Sequence, residues 1–182
     1  MSVPQFNHSG YTIDEWKTWE GRWELINGVP YDMTPAPNVE HQRTSSRLHG
    51  AIFHLLKEGG KTSGGECEVF AAPIDVFLPN EESVYQPDLV IVCDPSKVAP
   101  HGIVGVPDLV VEILSPSTAT RDLWHKRNSY ETAGIPEYLI VDPEEKKGLL
   151  LRLEGGRYLE VAQVPWGSVV GLLGGKLSVT LD

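Results

Sequence analysis

Several acidic residues stand in or beside three apolar runs between Gln86 and Asp142: Asp88 in QPDLVIVCD, Asp108 and Glu112 in VPDLVVEILSP, and Asp142 in EYLIVDP. A carboxylate within a run of Val, Ile and Leu is expensive to bury unless it is paired, hydrogen-bonded or bound to a metal. Segments 88–93 and 108–114 read as short buried strands, β-branched and bounded by proline and turn residues. Paired as an antiparallel hairpin closed by the loop 94–107, they set Cys93 opposite position 107 and Asp88 opposite Glu112. Opposed residues share a face, with Cβ atoms about 4.5–5.5 Å apart. Two carboxylates that close repel, and one stays protonated unless a cation sits between them. A divalent metal with oxygen ligands meets that need. A different pairing, with each carboxylate capping something local, is the alternative that spacing leaves open.

The segment that follows predicts a helix over 119–133. Ser115, Ser117 and Thr118 offer hydroxyls for its N-cap, and Gly134 suits the position after its end. Ala119, Leu123, Tyr130 and Ala133 form its apolar stripe, and Lys126 falls inside that stripe. A lysine there reaches for negative charge, with Asp88 and Glu112 as candidates. An i,i+4 ion pair with Asp122, worth about 0.2–0.5 kcal/mol, or a lysine snorkelling at the edge, explains the position equally well.

On these residues the chain resembles known nucleases. Asp88 in a Pro-Asp dipeptide, followed by Glu112 in a VEIL strand, resembles the metal-binding half of the PD-(D/E)XK nuclease superfamily. The string PDLVVEILSPSTATRDLWHKRNSYETAGIPEYLIVDP resembles, more narrowly, the Uma-type family of putative restriction endonucleases, and WELINGVPYDMTPAPNVEHQ resembles that family's opening segment. The resemblance implies a restriction-endonuclease-like α/β fold: a mixed, curved sheet flanked by helices, with extra N-terminal and C-terminal hairpins. It implies a metal-dependent DNA endonuclease in which Asp88, Glu112 and the backbone carbonyl of Ile113 bind Mg²⁺ or Mn²⁺. The superfamily's lysine usually stands two residues after the second acid, where this chain has Leu114. The family resemblance moves it to the following helix, at Lys126, which the stripe reached on its own.

The remaining elements supply a periphery. Segments 22–26 and 29–33 predict a hairpin about Asn27-Gly28, the strongest two-residue turn signal. Glu24 lies in its first strand, as a peripheral site residue or a solvent-facing one. Asn38 caps a long helix ending at Gly59-Gly60, with Leu48, Ala51, Ile52, Leu55 and Leu56 as its stripe. His41 falls one heptad before Leu48, as a core histidine or a contributor to the site. Asp75 follows the break at Ala72-Pro73 and its face is not readable. Asp142 suits the turn at Pro143. Hairpins at 149–164 and 169–181 read as sheet extension or a homodimer surface.

At 182 residues the chain predicts a single nuclease-like domain over 1–182, with 1–10 as a loose tail. Two cysteines, Cys67 and Cys93, suit reduced thiols in the cytoplasm rather than a disulfide scaffold. Neither a signal peptide nor an apolar run of membrane-spanning length is visible. The formal net charge of −10 opposes nucleic-acid binding, since phosphate contacts rest on Lys and Arg. Local patches decide binding, however, and Arg121, Lys126 and Arg127 share one helix while Arg43 and Arg47 share another. DNA as a partner is implied by the resemblance, with weak and salt-sensitive binding expected. No Gly-x-Ser-x-Gly, phosphate-loop or zinc-ligand spacing is present. The rival readings are a catalytically silent, dimeric binding or scaffold module on a nuclease fold, and a hydrolase of RNA or small phosphoesters.

Overall fold

Two six-stranded mixed sheets carry the chain in a computed structural model that describes residues 4, 10–34, 36–58, 67–79, 82–115 and 121–182, without the side chains of 121 and 122. The first sheet runs β2 (Val29–Asp32), β1 (Trp23–Ile26), β5 (Val84–Tyr85), β4 (Val76–Phe77), β8 (Gly102–Val104), β7 (Val98–Ala99). The second runs β12 (Arg157–Pro165), β11 (Lys147–Glu154), β10 (Glu137–Asp142), β9 (Leu109–Ile113), β6 (Leu89–Val92), β3 (Glu68–Ala71). The α/β, nuclease-like class expected from the sequence stands, with the sheet doubled.

The centre of the second sheet, β6, β9 and β10, is buried on both faces, because these strands are near-continuous runs of apolar, mostly branched residues. Leu89, Ile91, Leu109, Val111, Ile113, Leu139 and Val141 point to one side, onto Leu48 and Ile52 of α2 (Val39–Glu58). Val90, Val92, Val110, Tyr138 and Ile140 point to the other, onto Tyr130 of α3 (Arg127–Ala133) and Ile26, Val76, Tyr85 and Ile103 of the first sheet. Each fully buried aliphatic side chain contributes roughly 1.5–3 kcal/mol relative to exposure.

Strands β6 and β9 pair antiparallel as Leu89↔Val111, Val90↔Val110 and Ile91↔Leu109. The ladder stops at Leu89, and the Asp88 side chain accepts the Ile113 N–H beyond it. The loop between them is more than a closure. Asp94 caps a 3₁₀ turn over Pro95–Lys97, and β7 and β8 then join the first sheet. Strand β10 lies parallel to β9, with Glu137 beside Leu109, so the helical segment between them is a crossover. Residues Arg121–Lys126 wind as a π-helix before α3, which ends at Gly134 in the left-handed region with φ 86°. The continuous helix expected over 119–133 is therefore two windings, and its start lies outside the described residues.

Two expectations are corrected here. Cys67 and Cys93 form a disulfide: the β3–β6 register, in which Glu68 faces Val92, brings them opposite one another. The reduced-thiol argument for a cytoplasmic location therefore falls away. The β11–β12 hairpin extends the second sheet as expected, but the hairpin of β13 (Val169–Leu172) and β14 (Leu177–Thr180) stands apart as a two-stranded sheet. Its Val170, Leu172, Leu177 and Val179 fill the core beneath α2. Among the described residues, no helix is long and apolar enough to cross a membrane.

Candidate active site

Glu112 shares the face of Val110 and Ile140, so its carboxylate points toward the helical crossover. It is 3% exposed. Two side chains from that crossover meet its Oε1: the Lys126 ammonium at 2.9 Å and the Tyr130 hydroxyl, which donates at 2.9 Å. Lys126 closes the π-helical turn and Tyr130 stands four residues on, in α3. Windings of this kind occur often at functional sites.

The Lys126 ammonium, 1% exposed, also lies 2.7 Å from Glu24 Oε1. Glu24 comes from β1, a strand of the other sheet, and the same oxygen accepts the Gln86 backbone N–H at 2.8 Å. Of the two expectations for Glu24, the solvent-facing one is corrected: the residue is fully buried, and all four residues of β1 are buried. Asp88 is reached from elsewhere. Its Oδ2 accepts the Ile113 N–H at 2.7 Å and lies 3.2 Å from His41 Nε2. Asn38 caps α2 by accepting the His41 N–H at 2.9 Å, which fixes the helix start and with it the buried imidazole.

Asp75 joins indirectly. Its Oδ1 accepts from Gln86 Nε2 at 2.8 Å, and Gln86 Oε1 accepts from Arg22 at 3.2 Å. Burial pushes the Asp75 carboxyl above its ordinary range, against the opposing pull of the Gln86 hydrogen bond, Arg22 and His101. Burial, reinforced by the charges of Glu112 and Glu24, holds the Tyr130 phenol well above its ordinary value, so Tyr130 stays a neutral donor. Asp142 accepts the Glu144 and Glu145 N–H groups and serves its turn. The side chain of Asp122 lies outside the described residues.

Asp88 and Glu112 line the same cleft but are held by separate partners, His41 of α2 and a backbone N–H for one, Lys126 and Tyr130 of the crossover for the other. Arg22, His41, Gln86, Asp88, Glu112 and Lys126 line one cleft of about 520 Å³. Among the described residues, the carboxylates of Glu24, Asp75, Asp88 and Glu112 outnumber the nearby Lys126 and Arg22. Among the described residues no group of three His, Cys, Asp or Glu is placed to hold a metal. Two carboxylates are nevertheless enough for Mg²⁺, which binds oxygen, keeps several waters and takes one or two acids from the protein. The donor set fits that ion.

Arg22, Gln86 and Tyr130 were not singled out from sequence as site residues. Tyr130 carried a signal, since it follows Lys126 by four on one stripe. Arg22 stands two before Glu24, on the same side of an extended segment. Gln86 carried only its place before Pro87-Asp88.

The family model Uma2, described as putative restriction endonuclease, matches residues 12–178. An uncharacterized protein of Synechocystis, slr1290, is 29% identical over 133 residues, which span 70% of this chain and 66% of that protein. The crystal structure of a putative nuclease belonging to DUF820 from Anabaena variabilis superposes with a TM-score of 0.73 over 94% of this chain and 96% of that one, at 16% identity. The last likeness shows a shared fold. The family match covers most of the chain: it belongs to the Uma2 family.

Proposed function

Because the chain belongs to a family described as putative restriction endonuclease, we propose that it is a metal-dependent DNA endonuclease acting at the floor of the cleft. The observation that carries this reading is the Lys126 ammonium, buried between Glu24 and Glu112 in a cleft that also holds Asp88. Apolar residues of similar volume could replace a buried ion pair at little cost or with a gain in stability. Charges kept there beside an open cleft suit a reaction better than packing.

Asp88, Glu112 and the Ile113 carbonyl would hold Mg²⁺ or Mn²⁺. Bound there, the ion would supply a Lewis acid for a phosphate oxygen and a water of lowered pKa. The chain's own residues do the positioning. His41 and the Ile113 N–H fix one oxygen of Asp88. Tyr130 and Lys126 orient Glu112, and Glu24 holds the ammonium from the other side. Lys126 then offsets negative charge as it builds on the phosphate, the kind of preorganised stabilisation that contributes most to catalysis.

Nicking of supercoiled plasmid tests this. The wild type should nick with Mg²⁺ or Mn²⁺ and stop in EDTA, and Asp88→Asn should be inactive. Plasmid left intact while RNA is cleaved would move the substrate class. The silent-module reading has one observation in its favour, since Lys126 pairs directly with Glu112 at 2.9 Å. A melting temperature indifferent to Mn²⁺, together with no cleavage of either polymer, would select it.

A further inference from the structure

We propose that the outward stripe of α2 carries an unpaired nucleic-acid strand away from the cleft, with Phe53 as a stacking platform and Lys57 as a phosphate contact. The inference rests on the nuclease reading and adds to it a path and a strandedness. Gln42, Ser46 and His49 line the cleft along α2. Phe53 stands one turn beyond His49 and Lys57 one turn beyond Phe53. The Phe53 ring is 48% exposed, lies nearly parallel to His49 (centroids 6.2 Å apart, planes at 23°), and has the Lys57 ammonium 5.6 Å from its centroid. At 1.5 Å per residue, His49 to Lys57 extends the cleft wall by about 12 Å.

Charge separates this stripe from the rest of the helix. None of its five residues is acidic, on a protein of net charge −10. The acids of α2 lie on its other side and are engaged: Glu40 with Arg43, and Glu58 with His54 at 3.1 Å. A polyanion leaving the cleft therefore meets no carboxylate along the stripe and ends at a lysine. A single exposed phenylalanine is ordinary on a protein surface. Here the ring lies in line with a histidine of the cleft wall and a cation, the pairing of aromatic face and positive charge that tracks single strands. Bases in a duplex are already stacked on one another, so an exposed ring selects the unpaired strand.

Fluorescence anisotropy in EDTA, with a labelled oligothymidylate and a duplex of equal length, tests the path. Phe53→Ala should weaken single-strand binding by roughly five- to 150-fold, the equivalent of one stacked base, and Phe53→Tyr should restore it. Duplex affinity should not change. Lys57→Gln should lower the magnitude of the log K against log [salt] slope by about 0.7, and Lys57→Arg should not. Single-strand affinity that is equal in Phe53→Ala and wild type overturns the path while leaving nuclease activity untouched. A wild type that neither binds nor cuts any nucleic acid overturns the nuclease reading, and this inference with it.

Discussion

Two buried glutamates stand on neighbouring strands of the second sheet and are held in opposite ways. Glu137, at the start of β10, has both oxygens occupied by donors. Oε1 accepts Arg152 Nε and Nη2 at 3.1 and 2.9 Å and the Gly174 N–H at 2.8 Å, and Oε2 accepts the Leu173 N–H at 2.7 Å. Its cation keeps a third of its side chain in solvent, and the arrangement pins the β13–β14 turn to the sheet. Glu112, on β9, faces an ammonium that is itself buried and shared with a second carboxylate, with a third acid in the same cleft. Burial of charge is common to both. What separates them is an excess of one sign and access to solvent. Glu137 makes a staple that ties a turn to the sheet.

The largest break in this comparison comes from Lys126. Lys126→Met keeps the apolar stem and removes the charge, leaving Glu24 and Glu112 buried without their cation. Such a loss costs about 3–5 kcal/mol, read as a lowered denaturation midpoint in EDTA, and Mn²⁺ should recover part of it. Turnover should fall by roughly 10²–10³ when the donor is lost. Wild-type nicking by Lys126→Met would remove the lysine from the reaction and leave it a staple like Arg152.

Metal should tell the two glutamates apart next. A ligand bound only by the native state adds RT ln(1 + [L]/Kd), about 2.7 kcal/mol at 100 times Kd. Mn²⁺ should raise the melting temperature of the wild type and of Glu137→Gln by the same amount, and should not raise that of Asp88→Asn. An equal rise in all three would place the ion elsewhere. Glu137→Gln itself should lose about 1.5–3 kcal/mol, the worth of hydrogen bonds to a charged group. Its nicking rate per folded molecule should match the wild type, and a proportionate loss of activity would mean that the staple holds the site as well.

Legibility followed the range of the interactions. The antiparallel β6–β9 pairing could be read because two β-branched runs and their separation suggest one, and the inward Lys126 because it interrupts a stripe. Of the first sheet, the β1–β2 hairpin was legible through Asn27-Gly28, but strands β4, β5, β7 and β8 were not. They have two or three residues each, too few for a period. Glu24 was ambiguous for a related reason: β1 is buried throughout, so alternation assigned its side chain no face. The facing of Cys67 and Cys93 depends on the β3–β6 register, which no local pattern specifies. The π winding before α3 is a hydrogen-bond choice that composition does not record. Nothing local singles out Glu137, since its donors come from β11 and from a turn 36 residues on.

The smallest effect asks which cluster Asp75 belongs to. It touches neither Glu112 nor Lys126 in any hydrogen bond described above, and reaches Glu24 only through Gln86. Burial raises its carboxyl above the unfolded value of 3.8, so the folded state binds this proton more tightly than the unfolded one. The sign follows from linkage: ionised Asp75 costs stability above its raised folded value, and the cost is relieved as pH falls through that value toward 3.8. Asp75→Asn keeps an oxygen for Gln86 and removes the charge. It should be more stable than the wild type at neutral pH, by no more than about 0.5 kcal/mol for a half-buried position. That advantage should shrink as both proteins are acidified through the raised value. An advantage constant with pH would mean that Asp75 does not titrate as burial requires. The same variant measured with Mn²⁺ settles its membership. If Asp75 adds to the negative charge that draws the ion, Asp75→Asn should weaken Mn²⁺ binding while Glu137→Gln does not. If it merely anchors Gln86, Mn²⁺ affinity should match the wild type, and Asp75 stands with Glu137 among the carboxylates that hold the fold.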